Sequence, residues 1–224
     1  MIKYTLTRSK RKSVCIYIRS GAVEVRAPIK MAQKDIDDFV TSKALWIAKK
    51  LELSAKCLWQ QEDFRLGYGD FITYRGNEHP IYAKEGRHVG FDNKGFFMPP
   101  DLDDNQIKAA CVQIYKMLAK KDITQKVLEF SKKMRVSPLA VKINSAKTQW
   151  GSCSSKKSIN FSWRLVMACD DVIDYVVVHE LAHLIEMNHS SRFWTVVENF
   201  MPNYNEQKKL LKDLQKRLST QKWD

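Results

Sequence analysis

The N-terminal half of the chain contains two stretches in which apolar and polar residues alternate, with a helical pattern between them. Alternation over residues 2–27 predicts β-strands, and residues 70–98 predict a second meander of strands. Between them, residues 32–56 carry apolar side chains three and four positions apart, which predicts a helix that Trp46 packs onto the sheet. The basic run at 8–12 separates the first two strands and is expected to be either a charged hairpin tip or an anion-binding loop.

The C-terminal half combines long helical patterns with a few short strands. Residues 105–134 predict one long helix or two in series, and residues 204–218 predict a final amphipathic helix rich in lysine. Between these helices a strand at 139–143 precedes a hairpin with strands at 148–153 and 158–163.

The adjacent prolines Pro99 and Pro100, followed by an acidic stretch, predict a boundary between two lobes. At 224 residues the chain is long enough for one domain with two lobes or for two small domains. We therefore expect an α+β protein, with a β-rich basic lobe that includes one helix over 1–100. A second lobe, over 101–224, is expected to contain the strand hairpin and the remaining helices.

A His-Glu-x-x-His motif lies in the second lobe, directly after the apolar run Tyr175–Val178. Asp170 or Asp171 is expected to cap the start of this helix. His179 and His183 are four residues apart and so share one helix face, from which both imidazoles can reach one metal ion. The apolar surroundings argue against the alternative of a solvated polar face.

A catalytic zinc ion takes three protein ligands and keeps a fourth position for water. His189 is the expected third ligand, at the spacing of the three-histidine zinc hydrolases, and Glu186 is a competing candidate. That pattern usually has glycine at position 186, so we expect Asn188 to supply a left-handed turn instead. Glu180 follows the first histidine and is placed to take a proton from the bound water.

The net charge of the chain bears on the class of partner that it binds. The sequence has a formal net charge of +13 and a pI of about 9.5. Such an excess favours nucleotides or other polyanionic substrates, with nucleic acid as a second candidate partner; a basic solvated surface is the alternative explanation. The oligomeric state is left open by the sequence.

Several classes of protein are excluded or disfavoured. The longest apolar run falls well short of the roughly 20 residues that span a bilayer, so no membrane partner is expected. The N-terminus lacks the apolar segment of a signal peptide, which predicts a cytoplasmic protein. The five cysteines form no Cys-x-x-Cys pair, which argues against a disulfide framework and against a cysteine-based zinc finger.

The sequence resembles the YgjP-like metal-dependent hydrolases, a zincin-type group. The matching segments run through most of the chain: Arg8, Arg11 and the strands to Pro28; Trp46-Ile47; Trp150-Gly151-Ser152-Cys153 to Trp163-Arg164-Leu165; Tyr175 to His183; Asn188-His189-Ser190; Phe193-Trp194. One departure is Phe161-Ser162, where the family more often has Leu-Asn. The resemblance implies a minigluzincin-like catalytic lobe, with Zn²⁺ or another divalent metal as cofactor. It also implies His179, His183 and His189 as ligands, and Glu180 as the catalytic carboxylate.

The resemblance implies two alternative enzymatic activities. One is nucleoside triphosphate pyrophosphohydrolysis, with UTP as the substrate associated with the family. The other is a metallopeptidase, which could act on DNA-associated proteins. A third hypothesis is a nucleic-acid-binding protein with a structural zinc, against which the presence of Glu180 beside the ligands argues. Candidate substrate-binding residues lie in the basic run, the hairpin and the segments around the motif: Arg8, Arg11, Trp150, Gly151, Ser152, Arg164 and Arg192.

Overall fold

The first alternating stretch forms a three-stranded mixed sheet in the computed structural model, which describes residues 2–19 and 21–223. Its strands are β1 (Thr5–Ser9), β2 (Cys15–Arg19) and β3 (Ala22–Pro28). β2 and β3 are antiparallel, whereas β1 runs parallel to β3. The basic run at 8–12 is therefore not a hairpin tip, because β3 lies between β1 and β2.

Two helices follow this sheet where one was predicted. They are α1 (Gln33–Ser42) and α2 (Ala44–Asp63), and they are separated at Lys43. The expectation that Trp46 packs the helix on the sheet is wrong, because Trp46 is 44% exposed while Ile47 is only 1% exposed. Ile47 joins a core built from α1 and β3, whose other buried members are Val23, Val25, Ala27, Ile36 and Val40.

The second alternating stretch forms a four-stranded sheet rather than the predicted meander. Its strands are β4 (Phe71–Tyr74), β5 (Asn77–Ala83), β6 (Gly90–Asp92) and β7 (Gly95–Met98). The order is β4-β5-β7-β6, and β5 pairs with β7 in parallel. Alternation correctly predicts strands here, but it does not specify which strands become neighbours.

The segment predicted as one long helix or two in series forms a single helix, α3 (Asp104–Met134). Asp103 caps it by accepting hydrogen bonds from the backbone N–H groups of Asn105 and Gln106. α3 packs against the second sheet: the Tyr115 hydroxyl donates to the Thr73 carbonyl at 2.7 Å.

The third sheet contains the predicted hairpin. Its strands are β8 (Ala140–Asn144), β9 (Gly151–Cys153) and β10 (Ser158–Ser162), in the order β8-β10-β9. β9 and β10 are antiparallel, as predicted, and β8 runs parallel to β10. A short 3₁₀ helix (Trp163–Met167) then leads into the three C-terminal helices α4 (Asp170–Ala182), α5 (Ser191–Phe200) and α6 (Tyr204–Leu218).

These elements give the predicted α+β class and group into two compact units. The described residues of 2–64 and 219–222 form the first unit, and 65–218 with 223 form the second. Residue 100, after which the two lobes were expected to divide, lies within the second unit, where the second sheet packs on α3. Within the described parts of the chain, every helix is too short or too polar to cross a bilayer.

Candidate metal centre

The helix that carries the motif is buried and apolar around most of its surface, as the run before His179 predicted. Its buried residues are Val172, Ile173, Tyr175, Val176, Val177, Val178, Glu180, Leu181 and Ala182. The N-cap is Cys169, which makes no side-chain capping hydrogen bond, so the expectation that Asp170 or Asp171 is the cap is wrong. Both carboxylates lie in the first turn instead, where the partial positive charge of the helix end favours them.

The two motif histidines lie together at the C-terminal end of α4. Their ring centroids are 5.1 Å apart, with the ring planes nearly perpendicular. The helix ends at Ala182, and the N–H groups of Ile185 and Glu186 both donate back to the Ala182 carbonyl. Asn188 does not supply a left-handed turn, because the described non-glycine residues with positive φ all lie elsewhere in the chain.

The returning chain brings His189 onto the other two rings. Its Nε2 atom lies 3.1 Å from His179 Nε2, and one ligand nitrogen from each of the three histidines lies within 4.8 Å of the others. Ser190 caps α5 by accepting a hydrogen bond from the Phe193 backbone N–H. Phe193 is fully buried, and its ring centroid lies between 4.6 and 5.0 Å from all three imidazoles.

The protonation of this triad suits a divalent cation. Burial, followed by the neighbouring histidines, lowers the pKa of His179 to about 3, and burial lowers the pKa of His183. Both imidazoles are therefore neutral at physiological pH, which is the form that binds metals. The Nδ1 atom of His179 is buried without a hydrogen-bond partner, and His183 Nδ1 lies 3.3 Å from the Glu186 carbonyl oxygen. The geometry and the chemistry of the donors fit a zinc ion.

Glu180 is the buried carboxylate of this site. Its side chain is 5% exposed, its Oε2 atom has no hydrogen-bond partner, and burial raises its pKa to about 8. A cation bound nearby would favour the charged form and lower this pKa. The carboxylate packs closely against Gly151 at the start of β9.

A model of the YgjP-like family, metallopeptidase domain, matches residues 12–214 of the sequence. The chain belongs to the YgjP-like family. This membership supports a metal-dependent hydrolase, typically with zinc, at the histidine triad. No curated protein sequence matches the chain.

Two solved structures of metallopeptidase zymogens are similar to part of this YgjP-like chain. Abylysin of Pyrococcus abyssi is 21% identical, covers 44% of this chain and 97% of its own, and has a TM-score of 0.38. Jannalysin of Methanocaldococcus jannaschii is 22% identical, with 43% and 97% coverage and the same TM-score of 0.38.

Three of the predicted substrate-binding arginines of this YgjP-like chain have partners within the protein. In the first unit, Arg8 donates to the backbone carbonyls of residues 28, 29 and 31, and Arg11 donates to Cys15 Sγ. In the second unit, Arg164 is 6% exposed and donates to the carbonyl of Ser145. These contacts give each guanidinium a structural role, and substrate binding by any of them stays a prediction.

The other predicted residues lie on elements of the second unit. Gly151 and Ser152 belong to β9, and Trp150 precedes it, with its carbonyl accepting a hydrogen bond from the Ser162 N–H. Arg192 is exposed in the first turn of α5, three residues after His189. Of this set, Gly151 is in direct contact with a residue of the predicted catalytic centre.

One positively charged residue near the triad was missed by the sequence analysis. The Trp194 ring centroid is 5.8 Å from those of His179 and His189, and the ring stacks on Tyr204. Lys208 Nζ lies 4.5 Å from the Trp194 centroid. The spacing of Tyr204 and Lys208 places them on one face of α6, but the sequence does not reveal that both contact Trp194, whose ring lies beside His179 and His189.

Proposed function

We propose that this chain is a zinc-dependent hydrolase that converts a nucleoside triphosphate, with UTP as the first candidate, to the monophosphate and pyrophosphate. The observation that favours this substrate class is the position of Lys208 on the aromatic stack beside His179 and His189. Phosphoryl transfer depends on cations that hold the charge of the phosphates. The net charge of +13 also favours an anionic substrate.

The side chains of the site have distinct parts in this reaction. A zinc ion held by the three histidines would act as a Lewis acid and make hydroxide available near neutral pH. Glu180 Oε2 lacks a hydrogen-bond partner and is the atom that accepts the proton of the attacking water. The water oxygen bonds to the α-phosphorus as the bond from that phosphorus to the bridging oxygen breaks. Pyrophosphate leaves with that oxygen and its electron pair. Lys208 and Arg192 bind the phosphates of the substrate.

A metallopeptidase is the second candidate, and a specific feature of the third sheet favours it. Strand β9 is at the end of the order β8-β10-β9, so one of its edges is unpaired within the described sheet. Its first residue, Gly151, contacts Glu180. An extended peptide, including a segment of a DNA-associated protein, could therefore add to this edge beside the catalytic carboxylate.

The test is pyrophosphate release from a panel of nucleoside triphosphates, with the zinc-loaded protein beside its Glu180→Gln variant. We expect at least one nucleotide to be turned over and the variant to lose about 10²- to 10⁴-fold in kcat, the usual contribution of a general base. If no nucleotide is cleaved, or if the variant is as active as the wild type, the proposal is wrong. Cleavage of unfolded or DNA-bound polypeptides would then support the peptidase.

A pair of neighbouring lysines tests the suggested phosphate contact. Lys208→Ala should raise KM for the nucleotide, because it removes the cation next to the triad. Lys209→Ala is the matched control, since Lys209 is an exposed residue of the same helix turn. Equal kinetic effects of the two substitutions would rule out a specific role for Lys208.

A further inference from the structure

Gly151 approaches the Glu180 side chain more closely than any residue with a β-carbon could. A Cβ atom built on Gly151 would lie 2.6 Å from Glu180 Cγ and Oε1, and 2.7 Å from Cδ. These separations are far inside the 3.5–4.0 Å at which non-bonded carbon atoms attract each other. The carboxylate of Glu180 therefore occupies the space that any other side chain at position 151 would take.

The backbone at position 151 does not itself require glycine. The glycines with positive φ are at 21, 69, 76, 86 and 95, so Gly151 has a conformation open to other residues. It pairs with Phe161 in the antiparallel ladder between β9 and β10. Glycine weakens a strand, and inside one it often marks a site of close approach. The close approach here is that of Glu180.

No described group of the protein donates a hydrogen bond to Oε2 of the same carboxylate. Glu180 Oε2 is buried without a partner, although the side chain as a whole is 5% exposed. Its position depends on the surfaces that it packs against, and one of these is the backbone of β9 at Gly151.

We propose that Gly151 is a positioning residue. Because it has no side chain, the Glu180 carboxylate can pack directly against strand β9 and is held there. This inference rests on the proposed catalytic role of Glu180, but it applies whichever bond the enzyme cleaves. It gives the glycine of the Trp-Gly-Ser-Cys segment a role toward the catalytic group rather than toward the substrate. A methyl group at position 151 would displace the flexible Glu180 side chain and leave the strand in place.

The first test is a cycle of unfolding measurements on Gly151→Ala, Glu180→Ala, the double variant and the wild type. All four zinc-loaded chains would be unfolded in urea at one fixed excess of free zinc. Gly151→Ala should raise the unfolding equilibrium constant of the wild type by about tenfold, a usual coupling for residues in contact. In the Glu180→Ala background the same change should be neutral or stabilising, because the clashing atoms are gone. Equal effects in the two backgrounds would overturn the proposal.

Gly67→Ala is the matched control for this cycle. Gly67 also has a conformation open to alanine, and the nearest atom to an added Cβ is Asp70 Oδ2 at an ordinary 3.8 Å. Its effect should be the same with and without the Glu180 side chain. This control separates a general effect of replacing glycine from a specific contact with Glu180.

The second test separates positioning from folding. Gly151→Ala should lower kcat by about 10²-fold, the loss expected when a catalytic group is misplaced by about 1 Å. KM, and the zinc affinity measured by competition with a chelator, should stay within about threefold, because the histidines are untouched. An unchanged kcat would contradict the proposal. If no nucleotide is cleaved, the proposed function fails separately, since the unfolding cycle requires no substrate.

Discussion

Replacing Glu180 by glutamine should change how the stability of the metal-free protein depends on pH. Burial raises the pKa of this carboxyl from 4.5 to about 8. Between these values the native state holds a proton that the unfolded state has lost, so the free energy of unfolding falls as pH rises. A pKa shift of this size contributes about 4–5 kcal/mol to the free energy of unfolding at low pH. All of this contribution is lost once pH has passed about 8.

The histidines act in the opposite sense and must be separated from Glu180. Burial lowers the pKa of His179 to about 3 and also lowers that of His183. The unfolded state therefore binds more protons there below about pH 6.5, and stability rises with pH in that range. Comparing wild type with Glu180→Gln at each pH cancels this contribution, because both proteins keep the histidines. Glutamine itself adds an offset that does not depend on pH.

The measurement is urea unfolding, followed by tryptophan fluorescence in the presence of a chelator, from pH 5 to pH 9. The stability of Glu180→Gln relative to wild type should increase by several kcal/mol between pH 5 and pH 8 and then level off. Glu180→Ala should show the same trend, which separates the loss of the charge from the properties of glutamine. Parallel curves for wild type and Glu180→Gln would refute the reasoning, since Glu180 would then titrate alike in the native and unfolded states.

Two further predictions concern the metal and the C-terminal end of the chain. Zinc at about 100 times its Kd should stabilise the wild type by about 2.7 kcal/mol, seen as a rise in Tm, and His189→Ala should reduce or abolish this rise; no rise in the wild type would contradict metal binding by the triad. Trp223→Ala should lower the free energy of unfolding, measured in urea, by about 3–5 kcal/mol. The reason is that Trp223 is 5% exposed and packs on Tyr115 and Trp163. Trp59→Ala is its control, because Trp59 is 67% exposed and its loss should cost about 0.5 kcal/mol or less.

Local pattern predicted most helices and strands, but not which strands pair. Alternation reports that a segment has two different faces, and it carries no information about the neighbouring strand. The parallel pairs β1–β3, β5–β7 and β8–β10 were missed for this reason. The β9–β10 hairpin was predicted correctly, because two strands joined by a short polar turn pair with each other as an antiparallel hairpin.

The same distinction applies to the candidate site. His179, His183 and His189 come together through one helix and one reversal of the chain, so their spacing was enough to predict the cluster. The arginines show the limit of such reasoning, because Arg8 and Arg164 bind backbone carbonyls that the sequence could not identify. The place of Lys208 depends on how α6 packs, which is a tertiary contact without a local signal.

The histidine triad and Glu180 would serve hydrolysis of a phosphoanhydride or of a peptide bond, so the substrate must be selected by the groups around them. Two features compete for that role. Lys208 lies on the α6 side and offers a positive charge to phosphates, whereas the unpaired edge of β9 offers backbone hydrogen bonds to a peptide. Loss of the lysine charge should impair a nucleotide hydrolase and leave a peptidase that uses the β9 edge largely intact. Gly151 should matter to both, because it acts on Glu180 rather than on the substrate.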